Sequence, residues 1–174
     1  MGNSTSKLGL LFDSLFRSNI EGRIRNRFLK EGYRPIAYSE PQDIFIASYP
    51  KSGVTWMQNL LAHMMLETTS EHLSPKMVSE LIPDLHAKNF YKRLSPVMHF
   101  KTHALPIPSY RRVIHLVRDP RDVYVSYYHF LNMGDQEEYS LDDMLREGKG
   151  LYLSTWNEHS TSWHDNPYNA EILT

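Results

Sequence analysis

Residues 43–67 read DIFIASYPKSGVTWMQNLLAHMMLE. Asp43 to Tyr49 is a short apolar run, as a buried strand is, and Pro50 ends it. From Trp56 to Glu67 the apolar residues recur at helical spacing. The intervening Tyr49-Pro50-Lys51-Ser52-Gly53-Val54-Thr55-Trp56 is therefore a strand-to-helix loop. Such a loop presents unpaired backbone N–H groups and the positive end of the helix dipole. Gly53 lets the backbone come close to an anion. Ser52 and Thr55 bring hydroxyl donors, and Lys51 a full charge. The segment is a cradle for a phosphate or a sulfonate. It is not a Walker A loop, which needs Gly, four residues and then Gly-Lys-Ser/Thr; here Lys51 precedes the glycine.

Working outward, Val97 to Thr102 and Arg112 to Val117 are two further strand candidates. Ser74 is placed to cap a helix that starts at Pro75 and runs to about Ile82. Asp119-Pro120 starts another that runs to about Leu131. Leu141 to Glu147 and Trp156 to Trp163 predict short helices, and Asn166-Pro167 a turn. Glu171 to Thr174 reads as the start of a buried strand. Toward the N-terminus, Leu8, Leu11, Phe12, Leu15, Phe16, Ile20, Ile24 and Phe28 recur at helical spacing, with Gly22 expected to interrupt or weaken the helix. Arg34-Pro35 marks a break into extended chain. Strands alternating with helices predict an α/β fold, a parallel sheet flanked by helices. The expected division is an amphipathic helical segment, 1–34, followed by one domain, 35–174.

Composition narrows the function. Among 174 residues there is no cysteine, which excludes disulfides, thiolate metal sites and cysteine nucleophiles. A net charge of −1 supplies no global field for nucleic acid. The charge is uneven: residues 1–34 hold seven Lys/Arg against three Asp/Glu. No apolar run is long enough to cross a bilayer, and the first residues lack the apolar core of a secretory signal.

Two more clusters carry chemistry. Arg118-Asp119-Pro120-Arg121-Asp122-Val123-Tyr124-Val125-Ser126 follows the third strand directly. Arg118 therefore sits at a strand's C-terminal end, where ligands gather in open α/β sheets, and a guanidinium there can grip a phosphate bidentately. Ser126, two helical turns on, can reach the same side. The blander reading is an Arg118–Asp119 surface ion pair. Lys101-Thr102-His103 ends the second strand. A neutral imidazole is a natural base for an acceptor hydroxyl, but nine histidines are present and most must be structural. His99 lies four residues before His103, with no third ligand apparent, so no metal is expected.

The octapeptide from Tyr49 resembles the 5′-phosphosulfate loop of the cytosolic sulfotransferases. The Arg118 segment is similar to that family's 3′-phosphate motif, and Lys101-Thr102-His103 to the setting of its catalytic histidine. The likeness spans about Pro35 to the end. It implies a P-loop-like sulfotransferase fold and 3′-phosphoadenosine 5′-phosphosulfate (PAPS) as co-substrate, with no metal. It implies that Lys51, Ser52, Gly53, Val54, Thr55 and Trp56 bind the donor with Arg118 and Ser126, and that His103, Lys51 and Lys101 are catalytic. His103 would take the acceptor's proton and Lys51 would stabilise the leaving group. The acceptor would be a small molecule with a hydroxyl or amine; no nucleic-acid partner is implied. The family commonly has Thr where this chain has Val54, and often Lys where it has Arg121. Family members also continue beyond a point like Thr174, so the domain is expected to be incomplete at its C-terminus. A truncated, non-catalytic nucleotide-binding module is the alternative reading. A P-loop kinase is a third, and the missing Gly-Lys-Ser/Thr speaks against it.

The expected location is cytoplasmic. Met1-Gly2-Asn3-Ser4-Thr5-Ser6 also matches the N-myristoylation pattern, so an acylated Gly2 beside a basic helix would give weak contact with a membrane surface.

Overall fold

A computed structural model describes residues 21–67, 73–133, 139–152 and 154–174. The spacing read over Leu8 to Ile20, Gly2 and the myristoylation pattern lie outside those residues. Residues 21–30 are helical (α1) and include Gly22, which does not break the helix. Gly22 has open space around it, so its cost is conformational entropy alone. Strand β1 (Tyr33–Pro35) pairs antiparallel with β3 (Phe90–Lys92). Phe28 of α1 stacks on Phe90 at 5.1 Å and meets Tyr33 edge-on. The boundary expected between residues 34 and 35 thus falls inside a strand. This small sheet carries no apolar alternation in sequence, and its two strands are 55 or more residues apart in register.

The main sheet has four parallel strands in the order β4-β2-β5-β6. They are β2 (Ile44–Ser48), β4 (His99–Thr102), β5 (Arg112–Leu116) and β6 (Glu171–Leu173). β2 is central and almost wholly buried, so it reads as an uninterrupted apolar run and not as an alternating one. β6 is short and open: Leu173 is 67% exposed, and among the described residues β6 pairs only with β5.

Helices cover the sheet. α2 (Val54–Met65) and α3 (Pro75–Leu81) enclose an apolar cluster of Ile46, Val54, Ala62, Val78 and Ile82. α4 (Pro120–Leu131) and α5 (Leu141–Glu147) pack Val123, Tyr127 and Met144 around Tyr49. α6 (Trp156–His164) sends Trp163 into the third cluster, with Phe45, Phe100 and Tyr110. The helix starts follow their caps. Ser74, Asp119, Ser140 and Thr155 each accept a backbone N–H from the first turn. Thr155 and Glu158 complete a reciprocal capping box.

Under the C-terminal edge of the sheet lies a pair of buried histidines. His115 of β5 and His159 of α6 have ring centroids 5.8 Å apart and both contact Trp163. Burial pushes both imidazoles down to about 4 from the usual 6.5, and for His159 the neighbouring His115 and His103 add to the effect. Both are neutral in the folded protein at pH 7, while in the unfolded chain they protonate at the ordinary value. Their neutral state supports the fold fully above pH 6.5, and that support is lost as the pH falls toward 4. We expect the unfolding free energy to drop across that window by about 1.4 kcal/mol per pH unit for each titrating group. Urea unfolding at a series of pH values should show a His159→Phe variant with a slope smaller by about one proton. An unchanged slope would mean that His159 titrates alike in both states.

Candidate active site

At the C-terminal ends of β2, β4 and β5 a cleft of about 670 Å³ opens. It is lined on one side by the loop after β2 and on the other by Lys101 and His103, with Ser126, Tyr127 and Phe130 of α4 beneath. Three segments that are distant in sequence converge here because the strands run parallel and in register: Ala47 stands opposite both Thr102 and His115. Ligand sites gather at such edges.

The loop has the backbone of an anion cradle. Lys51 (φ 69°) and Gly53 (φ 98°) are both left-handed. Gly53 is the N-cap of α2 and no side chain caps that helix. The first N–H groups of α2 are thereby left for a ligand. Ser52 is buried and its Oγ has no hydrogen-bond partner, an orphan that an anion held in the loop would satisfy. The residues present therefore fit a bound phosphate or sulfonate. Lys51 Nζ lies 4.4 Å from the centre of the Phe130 ring, a cation–π contact. The Val54 side chain is 5% exposed and belongs to the α2–α3 apolar cluster, so its backbone N–H is its polar offering to the cleft. Trp56 lies outside the cleft lining with its indole 69% exposed.

His103 is held by its ring. Its Nδ1 lies 2.7 Å from the carbonyl oxygen of Ser48, the last residue of β2. The carbonyl can only accept, so Nδ1 carries the proton and Nε2 keeps its lone pair. Burial lowers the His103 pKa from 6.5; the Ser48 carbonyl opposes that and the nearby Lys101 ammonium reinforces it. The result is a neutral imidazole with one basic nitrogen. Lys101 is tied differently: its Nζ bridges to Asp84 Oδ2 at 2.8 Å. Burial works against the Asp84 charge, but the Lys101 ammonium and the His86 backbone N–H outweigh it and hold the carboxyl below its usual range. Asp84, His86 and Tyr152, which line or support the cleft, carry no motif in the sequence, and Phe130, an aromatic of the Arg118 segment expected in the core, is 55% exposed and lines the cleft instead. Asp84 and His86 arrive through a short bridge between residue 84 and Lys101, which no local periodicity announces.

Arg118 does not line the cleft itself. Its Nη1 approaches the Lys51 carbonyl at 3.4 Å, and its Nη2 is 3.5 Å from Asp122. The Arg118–Asp119 pair considered from sequence does not form; Asp119 caps α4 and binds Arg121 instead. His99 lies at the far end of β4, its Nδ1 buried without a hydrogen-bond partner. Among the described residues no three His, Asp or Glu side chains are grouped to hold a metal ion.

A parallel α/β sheet thus brings an uncapped, lysine-bearing loop at its central strand and a histidine with one basic nitrogen into one cleft. Comparison with known proteins gives the family. Residues 41–174 match the model described as "Sulfotransferase domain", and the chain belongs to that family. Sulfotransferase 1E1 of Bos taurus is 26% identical over 155 residues, covering 78% of this chain and 52% of that protein. Sulfotransferase 1B1 of Canis lupus familiaris is 32% identical over 151 residues, covering 72% and 49%. The chain spans about half the length of the curated relatives it matches. Among solved structures, retinol dehydratase in complex with androsterone and inactive cofactor PAP is similar at 21% identity and a TM-score of 0.48, over 78% of this chain and 55% of that one.

The left-handed Gly53 yields a direct test. A Cβ at Gly53 would meet nothing within 4 Å, so Gly53→Ala carries backbone strain and no clash. We expect it to destabilise the protein by about 1–2 kcal/mol in denaturant unfolding. A variant as stable as the parent would show that the loop can leave the left-handed region.

Proposed function

We propose that this chain binds PAPS and serves sulfuryl transfer to the hydroxyl or amine of a small acceptor. The observation that carries the reading is the meeting, in one cleft, of an uncapped cationic loop and an imidazole whose Nε2 is left basic. PAPS supplies an activated sulfuryl group. Lys51, the orphaned Ser52 hydroxyl, Thr55 and the backbone N–H groups of Gly53 and Val54 would hold its 5′-phosphosulfate. Arg118, beside Lys51, and Ser126 would hold its 3′-phosphate, and the exposed face of Trp56 offers a stacking surface for the adenine.

The chemistry is in-line displacement. His103 Nε2 takes the acceptor's proton as the acceptor oxygen or nitrogen bonds to sulfur. The bridging S–O bond breaks, and its electron pair stays on the departing phosphate oxygen, where Lys51 stabilises it. Lys101 acts from the same wall, with its charge shared by Asp84.

The cytoplasm is the compartment this reading fits. Among the described residues no helix is long and apolar enough to cross a membrane.

Calorimetry of the chain with 3′-phosphoadenosine 5′-phosphate (PAP) tests the donor site. Lys51→Ala should remove most of the binding. Arg118→Ala should lose preference for PAP over adenosine 5′-phosphate by about 1.5–3 kcal/mol, the worth of a charged hydrogen bond. His103→Ala should leave PAP affinity nearly unchanged and abolish formation of sulfated product from PAPS with phenols, alcohols or amines. Wild-type affinity in Lys51→Ala would overturn the assignment of the loop.

A further inference from the structure

Three rings of the cleft lining, His103, His86 and Tyr152, are linked through the His103 backbone N–H and the His86 imidazole. His86 and His103 stack with centroids 5.9 Å apart, and Tyr152 meets His86 edge-on at 5.7 Å. All three line the cleft. The proton positions follow from one unambiguous donor. The backbone N–H of His103 points to His86 Nε2 at 2.9 Å. A backbone N–H cannot accept, so His86 Nε2 bears the lone pair. Thr102 Oγ1 lies 3.3 Å from the same nitrogen and is compatible with that role. The single ring proton of His86 is then on Nδ1, which lies 3.1 Å from the Tyr152 hydroxyl oxygen. His86 Nδ1–H donates and the phenol oxygen accepts.

That leaves the phenol's own proton. Among the described residues the Tyr152 hydroxyl has no second hydrogen-bond partner, so its O–H is available to a molecule in the cleft. Tyr152 is also anchored through its backbone: its N–H donates to the Tyr127 hydroxyl at 3.2 Å. A phenol that accepts on one side from a fixed imidazole is a stronger and better-directed donor on the other. His103 presents the opposite polarity, a basic Nε2. The acceptor side of the cleft thus offers a proton acceptor at His103 and a proton donor at Tyr152, on either side of His86.

We infer that His86 is a positioning residue that fixes the Tyr152 O–H as a hydrogen-bond donor to the acceptor substrate, and that the acceptor therefore carries a second oxygen able to accept a hydrogen bond near the group that is sulfated. An ether, a carbonyl or another hydroxyl meets that need; an unsubstituted hydrocarbon frame does not. The inference rests on the sulfotransferase reading above and specifies its acceptor. It rests on His86 and Tyr152, which carry no part of the donor site.

Two measurements on the chain of 174 residues decide it. Nitrogen-15 spectra of labelled histidines report the tautomer. His86 should show a protonated Nδ1 and a bare Nε2, and its Nδ1 signal should move in Tyr152→Phe. The second measurement saturates the protein with PAP and titrates ortho-, meta- and para-methoxyphenol against the ethylphenol of the same substitution. Each pair matches in size and differs in one accepting oxygen. At least one methoxyphenol should bind about three- to tenfold more tightly than its partner, as one hydrogen bond allows. Tyr152→Phe should erase that difference while leaving PAP affinity unchanged. A proton on His86 Nε2, equal affinities in all three pairs, or a preference that survives Tyr152→Phe overturns the inference. Loss of PAP binding by the wild type would instead fail the donor-site reading, and the nitrogen spectra would still decide the His86–Tyr152 pair.

Discussion

Parallel pairing of β2 with both β4 and β5 is the constraint on which the rest depends. Parallel strands bring like ends together, and their register here sets Ser48, Thr102 and Leu116 at nearly one level. Everything immediately after those residues is therefore at one edge of the sheet: the loop with Lys51 and Gly53, His103, and Arg118. One backbone contact then joins two of the three. The Ser48 carbonyl, at the point where β2 turns into the loop, accepts the His103 Nδ1–H at 2.7 Å. That bond orients the imidazole and fixes its tautomer, and it also ties His103 to the loop that carries Lys51 and Gly53. The spacing between His103 and the loop is set by sheet geometry, with no flexible side chain in between.

Sheet and site also share a polar cost. β2 is buried on both faces, and Asp43 just before it is fully buried as well. Asp43 is tolerated because Arg93 grips it with two nitrogens, at 2.9 and 2.7 Å, and because the N–H groups of Glu40 and Met98 donate to it. Burial works against its charge, and these donors overcome that and hold its pKa below the usual value. The far end of β2 is thereby clamped to the start of β4, which keeps the register that aligns the near ends. At the site, by contrast, polar groups are left incomplete: α2 lacks a side-chain cap and Ser52 Oγ lacks a partner. One end of β2 is thus fully satisfied, and the other leaves donors without acceptors, which is where an anion would find partners.

Much of this was legible in the chain. α4 and α5 begin and end where their caps and turn residues put them, and the three strands of the parallel core fall within two residues of their apolar runs. Lys51, Gly53, Lys101, His103 and Ser126 come together as local motifs, since each sits at a strand end or on a capped helix. What was not legible is what depends on distant pairing. The β1–β3 sheet joins segments with no alternating pattern, held instead by Phe28, Tyr33 and Phe90. Asp84 and His86 follow a helix C-terminus in an irregular segment, and only its pairing with Lys101 carries them to the cleft. Trp56 reads as part of the loop's motif, yet helix geometry turns its indole outward.

The three cations near the cleft are held with unequal firmness, and that ranks what each can do. Lys101 and Asp84 are both largely buried and 2.8 Å apart, so separating them would strand a buried carboxylate. Lys101 thus enters the cleft as half of a nearly neutral pair. Arg118 is 44% exposed and 3.5 Å from an Asp122 that is itself 62% exposed, a surface contact worth about 0–1 kcal/mol. Lys51 rests against the Phe130 ring, a partner without a charge. An incoming dianion can therefore draw Lys51 and Arg118 to itself with little loss, whereas Lys101 keeps its partner. On the proposed reading, anion capture would fall to the two residues on the loop side, beside a wall that carries His103 and is close to neutral. That division suits a base, because a free ammonium beside His103 would depress its basicity further, and the Asp84 carboxylate offsets much of that field.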